Sequence, residues 1–125
     1  MKKKEDKNII RFIDEVYCQE FMVIFAPTHK KFCEIVKREL KITLEPEEDS
    51  GTSGMFHGLS NKHCSLALIW SSDKGHNLIH ELLHAVSFVL GARDIHIESA
   101  SSEEAWAYYL SYLYRRIKER ITFND

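Results

Sequence analysis

The sequence predicts a small α+β fold, with an antiparallel or mixed sheet packed on helices. Three observations predict it. Residues 21–26, Phe-Met-Val-Ile-Phe-Ala, form a short run rich in β-branched and aromatic residues that Pro27 halts, which reads as a buried strand. Residues 64–70 make a second such run. Around them lie stretches with apolar residues at helical spacing, several preceded by cap-type residues.

Taken in order, Ile9, Ile10, Ile13, Val16 and Tyr17 recur at helical spacing and predict a short first helix. Thr28 is placed to cap the next, whose face carries Phe32, Ile35, Val36 and Leu40. Residues 45–54 are polar, acidic and glycine-punctuated, a long surface loop. Residues 55–59 predict a short edge strand and 64–70 a more buried one, with Asn61-Lys62 as the hairpin turn. Ser72 and Asp73 precede a helix whose Leu78, Leu82, Val86, Val89 and Leu90 cluster on one side and which Gly91 ends. After a loop holding Asp94, His96 and Glu98, Ser101 or Ser102 caps a last helix to about Ile117, with Trp106, Leu110, Leu113 and Ile117 as its stripe.

The 125 residues suit one domain, expected over residues 9–125 behind a disordered basic tail at 1–8. Hydrophobic residues at 44% and charged residues at 29% argue against a disordered or fibrous chain. The net charge of -2 supplies no global field for nucleic acid, and Lys30, Lys31, Lys37 and Arg38 read as the wet face of a helix. Cys18, Cys33 and Cys64 form no CxxC pair and read as buried thiols in a reducing compartment. No apolar run approaches membrane-spanning length, so the expectation is a cytoplasmic protein with no membrane partner.

The chemistry centres on His80-Glu81-Leu82-Leu83-His84. On a helix, residues four apart share a face, so the two imidazoles can hold one tetrahedral ion. Glu81 is turned about 100° from His80, beside the metal, where its carboxylate can take a proton from the attacking water and pass it to a leaving amine. With seven His and 13 Glu, chance gives about 0.04 such patterns in a chain of this length.

Catalytic zinc takes a third protein ligand. An extended motif would put glycine at position 87 and histidine at 90; Ser87 and Leu90 stand there, which excludes it. A glutamate from the following helix remains, and Glu103 and Glu104 lie 19 and 20 positions beyond His84. Glu104 is preferred because it shares a face with the small Ala107 and Ser111, which would let two helices approach; Glu103 is the rival, facing Ala107 and Leu110. Helix N-termini favour acids anyway, which accounts for whichever is not the ligand.

This pattern, with Glu103-Glu104-Ala105-Trp106-Ala107-Tyr108 at that distance, resembles the gluzincin branch of zinc metallopeptidases in minimal form, and small zincin-like proteins of phage and prophage. The resemblance covers about residues 64–115. It implies a zincin-like strand-helix-helix core holding Zn2+, and an edge strand near the metal able to pair with an extended peptide or protein substrate. The chain has no room for the long substrate-binding segments of thermolysin-type enzymes, and no transition-state motif is matched, although His96, Tyr108, Tyr109 and Tyr112 are chemically able to serve. His76 reads as solvated or lining the cleft, and His57 and His63 as exposed. The alternative is a binding or regulatory module on a zincin scaffold, with a structural metal and no turnover.

Overall fold

The two central strands are apolar on both sides, and each side needs a cover. The computed structural model describes residues 6–46, 52–60 and 65–124. Its elements run β1 (Ile9–Ile13), β2 (Glu20–Phe25), α1 (His29–Leu40), β3 (Gly54–Ser60), β4 (Ser65–Ser71), α2 (His76–Gly91) and α3 (Ala100–Asn124). They build an α+β fold around a mixed sheet ordered β1-β2-β4-β3. β2 and β4 are parallel in the middle, and β1 and β3 pair antiparallel at the edges. Parallel strands buried on both faces read as continuous apolar runs, which is why residues 21–26 show no alternation. On one face Met22, Ile24, Leu68 and Trp70 meet Phe32 and Val36 of α1. On the other Phe21, Val23, Ala67 and Ile69 meet α2 and α3.

The expected first helix over residues 9–17 is a strand and a loop instead. Ile10 and Phe12 are buried while Arg11 and Ile13 are exposed, a period of two, and they pair with Val23 and Phe21. Ile13 and Val16, which completed the helical spacing, are 61% and 56% exposed. The loop that follows closes on Asp14, a fully buried carboxylate. Its Oδ1 accepts from the backbone N–H of Val16 (3.0 Å) and Tyr17 (2.7 Å), and its Oδ2 from Gln19 N–H (2.7 Å) and the Tyr109 hydroxyl (3.1 Å). Burial, then the Asp14 charge, pushes the Tyr109 phenol far above its usual range, so it stays a proton donor.

Helix entry follows short-range rules. Thr28 Oγ1 accepts from Lys31 N–H (3.1 Å), as its position predicts. α3 starts earlier than expected. Ser99 Oγ accepts from Ser102 N–H (3.4 Å) and Ser102 Oγ from Ser99 N–H (3.0 Å), a reciprocal box with Ser99 as cap. The helix continues past Ile117 to Asn124, and Tyr109, Leu113, Ile117 and Ile121 are its buried stripe. Trp106 and Leu110 lie only partly buried beside them, because Asp14 draws Tyr109 inward.

Cys33 is buried as expected, but Cys18 is exposed on the β1–β2 loop; Cys64 and the Asn61-Lys62 turn lie outside the described residues. Of the basic tail, residues 1–5 are likewise outside, and 6–8 form a turn in which Asn8 O accepts from Phe25 N–H (2.9 Å). The surface loop at 45–54 is described only at its ends. Among the described residues no helix is long and apolar enough to cross a membrane.

The Asp14 knot yields a ranked expectation. Asp14→Ala strands three backbone donors and a phenol and should cost about 3 kcal/mol or more, whereas Tyr109→Phe removes one bond to a charge and should cost about 1.5 kcal/mol. Urea denaturation measures both; equal losses would contradict the ranking.

Candidate metal centre

The site is set by how α2 lies on the sheet. Leu78, Leu82, Ala85, Val86, Val89 and Leu90 are buried, so the opposite side of the helix faces water. His80 and His84 stand on that side, exposed, their ring centroids 5.1 Å apart with an interplanar angle of 70°. Glu81 sits at the border of the buried stripe and is 5% exposed. One ligand atom from each of His80, Glu81 and His84 lies within 4.8 Å of the other two. Nitrogens bound to a tetrahedral ion at about 2.0–2.1 Å stand about 3.3 Å apart, so exposed imidazoles reach that spacing by side-chain rotation. Two imidazoles and a carboxylate suit a divalent ion that favours nitrogen donors.

Glu81 turns toward β3. A Cβ built on Gly54 would stand 2.9 Å from Glu81 Cγ, 3.3 Å from its carboxyl carbon and 3.0 Å from the Trp70 carbonyl oxygen. Farther along the same strand face, a Cβ on Gly58 would stand 2.5 Å from the Phe88 ring. Phe56, between the two glycines, packs on Phe88 at 5.5 Å. Sequence reading missed this contact. By sequence Gly54 reads as the end of the preceding polar loop, whereas glycine at a strand position signals close approach of a neighbour.

The start of α2 is anchored nearby. Asp73 Oδ1 accepts from Gly75 N–H (2.9 Å) and Asn77 N–H (3.1 Å), and its Oδ2 from the Asn77 side-chain amide (2.7 Å). The bond from Gly75 N–H leads in holding the Asp73 carboxyl below its usual value, and burial opposes it. Ser72 N–H donates to Ser53 O (2.9 Å), tying the helix entry to the segment that begins β3.

The remaining residues divide. Glu103 and Glu104 lie at the start of α3, both exposed, and neither belongs to the group around His80. The face shared by Glu104, Ala107 and Ser111 is exposed rather than packed, because the buried stripe runs through Tyr109 and Leu113. Glu103 is in line with the half-buried Leu110 and Tyr114. His76 is exposed at the first helical residue. His57 is half-buried, not exposed: it stacks on Phe32 at 5.9 Å, on the α1 side of the sheet. His63 lies outside the described residues. Exposed His96 stands 3.9 Å from Asp94, and Tyr108 is 73% exposed. Tyr109 and Tyr112 serve the β1–β2 loop, the latter accepting from Glu15 N–H (3.1 Å). Lys37, Arg38 and Lys41 line an open hollow with Glu34 and Thr43, at the far end of α1.

No known protein family, no curated protein and no solved structure matches this chain. The candidate group on α2 therefore stands on its own geometry.

Its anchor is sensitive to acid. Because the folded Asp73 carboxyl titrates below 3.8, its contribution is present above that pH and is lost as the pH falls through the folded value. Asp73→Ala removes the acceptor of the hydrogen bonds from Gly75 and Asn77 and should cost about 1 kcal/mol at neutral pH. The difference between variant and native protein should shrink in acid, which denaturation at pH 7 and pH 3 would measure; a constant difference would contradict the anchor.

Proposed function

We propose that the chain is a zinc-dependent hydrolase of zincin type, a cytoplasmic metallopeptidase that cleaves an amide bond in a peptide or protein. The observation that carries the reading is the convergence of His80, Glu81 and His84 within 4.8 Å, with both imidazoles exposed and the carboxylate buried beside them. His80 and His84 would hold the ion, with a third carboxylate from the start of α3, Glu104 in the first place and Glu103 as its rival. Zinc in such a site lowers the pKa of water to about 7 and polarises a carbonyl. Glu81 takes the proton from the attacking water and returns it to the departing amine. β3 is an outermost strand, and its Gly54 touches Glu81, so an extended peptide paired to that edge would pass beside the histidines. The small net charge supports a peptide rather than nucleic acid as partner, and the lack of an apolar spanning helix among the described residues fits a substrate outside the membrane.

One observation favours a second reading. Glu81, not an α3 acid, completes the group. If Glu81 itself ligates, the metal is structural and the chain is a binding or regulatory module.

Glu81→Gln separates the two. As general base, its loss should leave zinc affinity near native and lower turnover of a fluorogenic peptide about 10²–10⁴-fold. Lost zinc affinity in this variant would establish the structural reading instead. Removal of metal by a chelator should abolish hydrolysis, and added zinc should restore it. Glu104→Gln and Glu103→Gln, titrated with zinc separately, identify the third ligand; if neither weakens zinc, no ligand comes from α3.

A further inference from the structure

Glycine at position 54 is not required by the backbone. Gly54 lies in an extended strand, paired with Ser71, and its φ is outside the left-handed region. Alanine would suit that conformation and, by lowering the entropy of the unfolded chain, would by itself favour the fold. What glycine supplies is space. The missing methyl would fall 2.9 Å from Glu81 Cγ, closer than carbon atoms approach without moving. The strand cannot simply retreat. Gly54 is held by its pairing with β4, the Trp70 carbonyl stands 3.0 Å from the same point, and Ser72 N–H holds Ser53 from the other side. The side chain that must yield is Glu81.

We propose that Gly54 is a positioning residue: its bare backbone forms the seat that fixes the Glu81 carboxylate beside His80 and His84. The functional meaning of this seat rests on the hydrolase reading, while the contact itself does not. Glu81 differs from its two partners in the way a seated side chain should. It is 5% exposed, whereas the histidines on either side of it are open to solvent. Of the contacts a Cβ at Gly54 would make, two of the three nearest are to this one side chain. Gly58 makes the equivalent space for Phe88, so β3 carries two seats on one face, one for packing and one for chemistry.

A double-mutant cycle tests the seat without needing a substrate. Thermal midpoints are measured for the native chain, Gly54→Ala, Glu81→Ala and the double variant. Gly54→Ala should lower the midpoint by about 4 °C or more in the native background. At least half of that loss should vanish in the Glu81→Ala background, where Cγ is gone. An equal loss in both backgrounds overturns the proposal, since the Trp70 carbonyl would then be the obstacle. If Gly54→Ala alone does not fold, a folded double variant supports the seat and an unfolded one overturns it. In the metal-loaded chain, zinc affinity of Gly54→Ala, read by chelator competition, should stay near native. kcat on a quenched-fluorescent peptide should fall about tenfold or more with KM little changed. A native kcat in a folded Gly54→Ala protein overturns the positioning role. A native chain that takes up no zinc defeats the hydrolase reading, and the thermal cycle still decides whether Gly54 seats Glu81.

Discussion

The rotational phase of α2 on the sheet decides where every chemically able group of that helix points. Leu78, Leu82, Ala85, Val86 and Val89 are buried against a sheet face that offers Val23, Ala67 and Ile69. Burying each larger aliphatic side chain is worth about 1.5–3 kcal/mol, so the stripe together holds the helix against rotation far more strongly than any single polar contact. Turning the helix by one residue, about 100°, would drive Ile79 and Leu83, or in the other sense Glu81 and His84, toward the core and lift buried aliphatic side chains toward water. With the phase fixed, His80 and His84 face solvent and Glu81 and Phe88 face β3. The hydrophobic pattern thus aims residues that it does not contain.

β3 completes the arrangement from the other side. An edge strand touches only one neighbour, β4, and its position relative to α2 would be loose without further constraint. The two glycines remove side chains where α2 comes closest, and Phe56 between them fills the space beside Phe88. The Ser53–Ser72 hydrogen bond fastens the strand entry to the helix entry, which the bonds from Gly75 and Asn77 to Asp73 hold in shape. Close packing at glycine therefore couples the depth of the edge strand to the orientation of two helix side chains.

What was legible in the sequence follows from which information is local. The central strands announced themselves because burial on both faces leaves an unbroken apolar run. α2 was legible from its apolar stripe, but its ends were not: the N-cap is Gly75, with Asp73 reaching in from two residues earlier, and Gly91 is still helical, with Ala92 as the C-cap. The histidine pair needed only helical spacing. Residues 9–17 misled because Ile9, Ile10, Ile13, Val16 and Tyr17 satisfy a helical period, and only pairing with β2, together with the Asp14 knot to Tyr109, selects strand and loop. No nearby residue signals either partner. The face of α3 was displaced for the same reason: Tyr109 is drawn in by a carboxylate 95 positions away. Ser99 was obscured by three serines in a row of four residues, any of which can cap. The seat at Gly54 depends on a residue 27 positions later, so glycine there read as loop punctuation.

On the hydrolase reading, the contrast in exposure within the candidate centre matches the different demands that its members would meet. Imidazoles that grip an ion are oriented by the ion itself, so they need access more than prior rigidity. A general base has no ion to orient it. It must be held by protein, because displacement of about 1 Å can cost on the order of 10²-fold in rate. Glutamate has three side-chain torsions to restrict, and free in solvent it would sample many arrangements that miss the water. Laid against a strand with no side chain in the way, Glu81 has most of that freedom removed before any substrate arrives. On the hydrolase reading, the fold leaves adjustable the groups that a metal will order and fixes the one group that it will not.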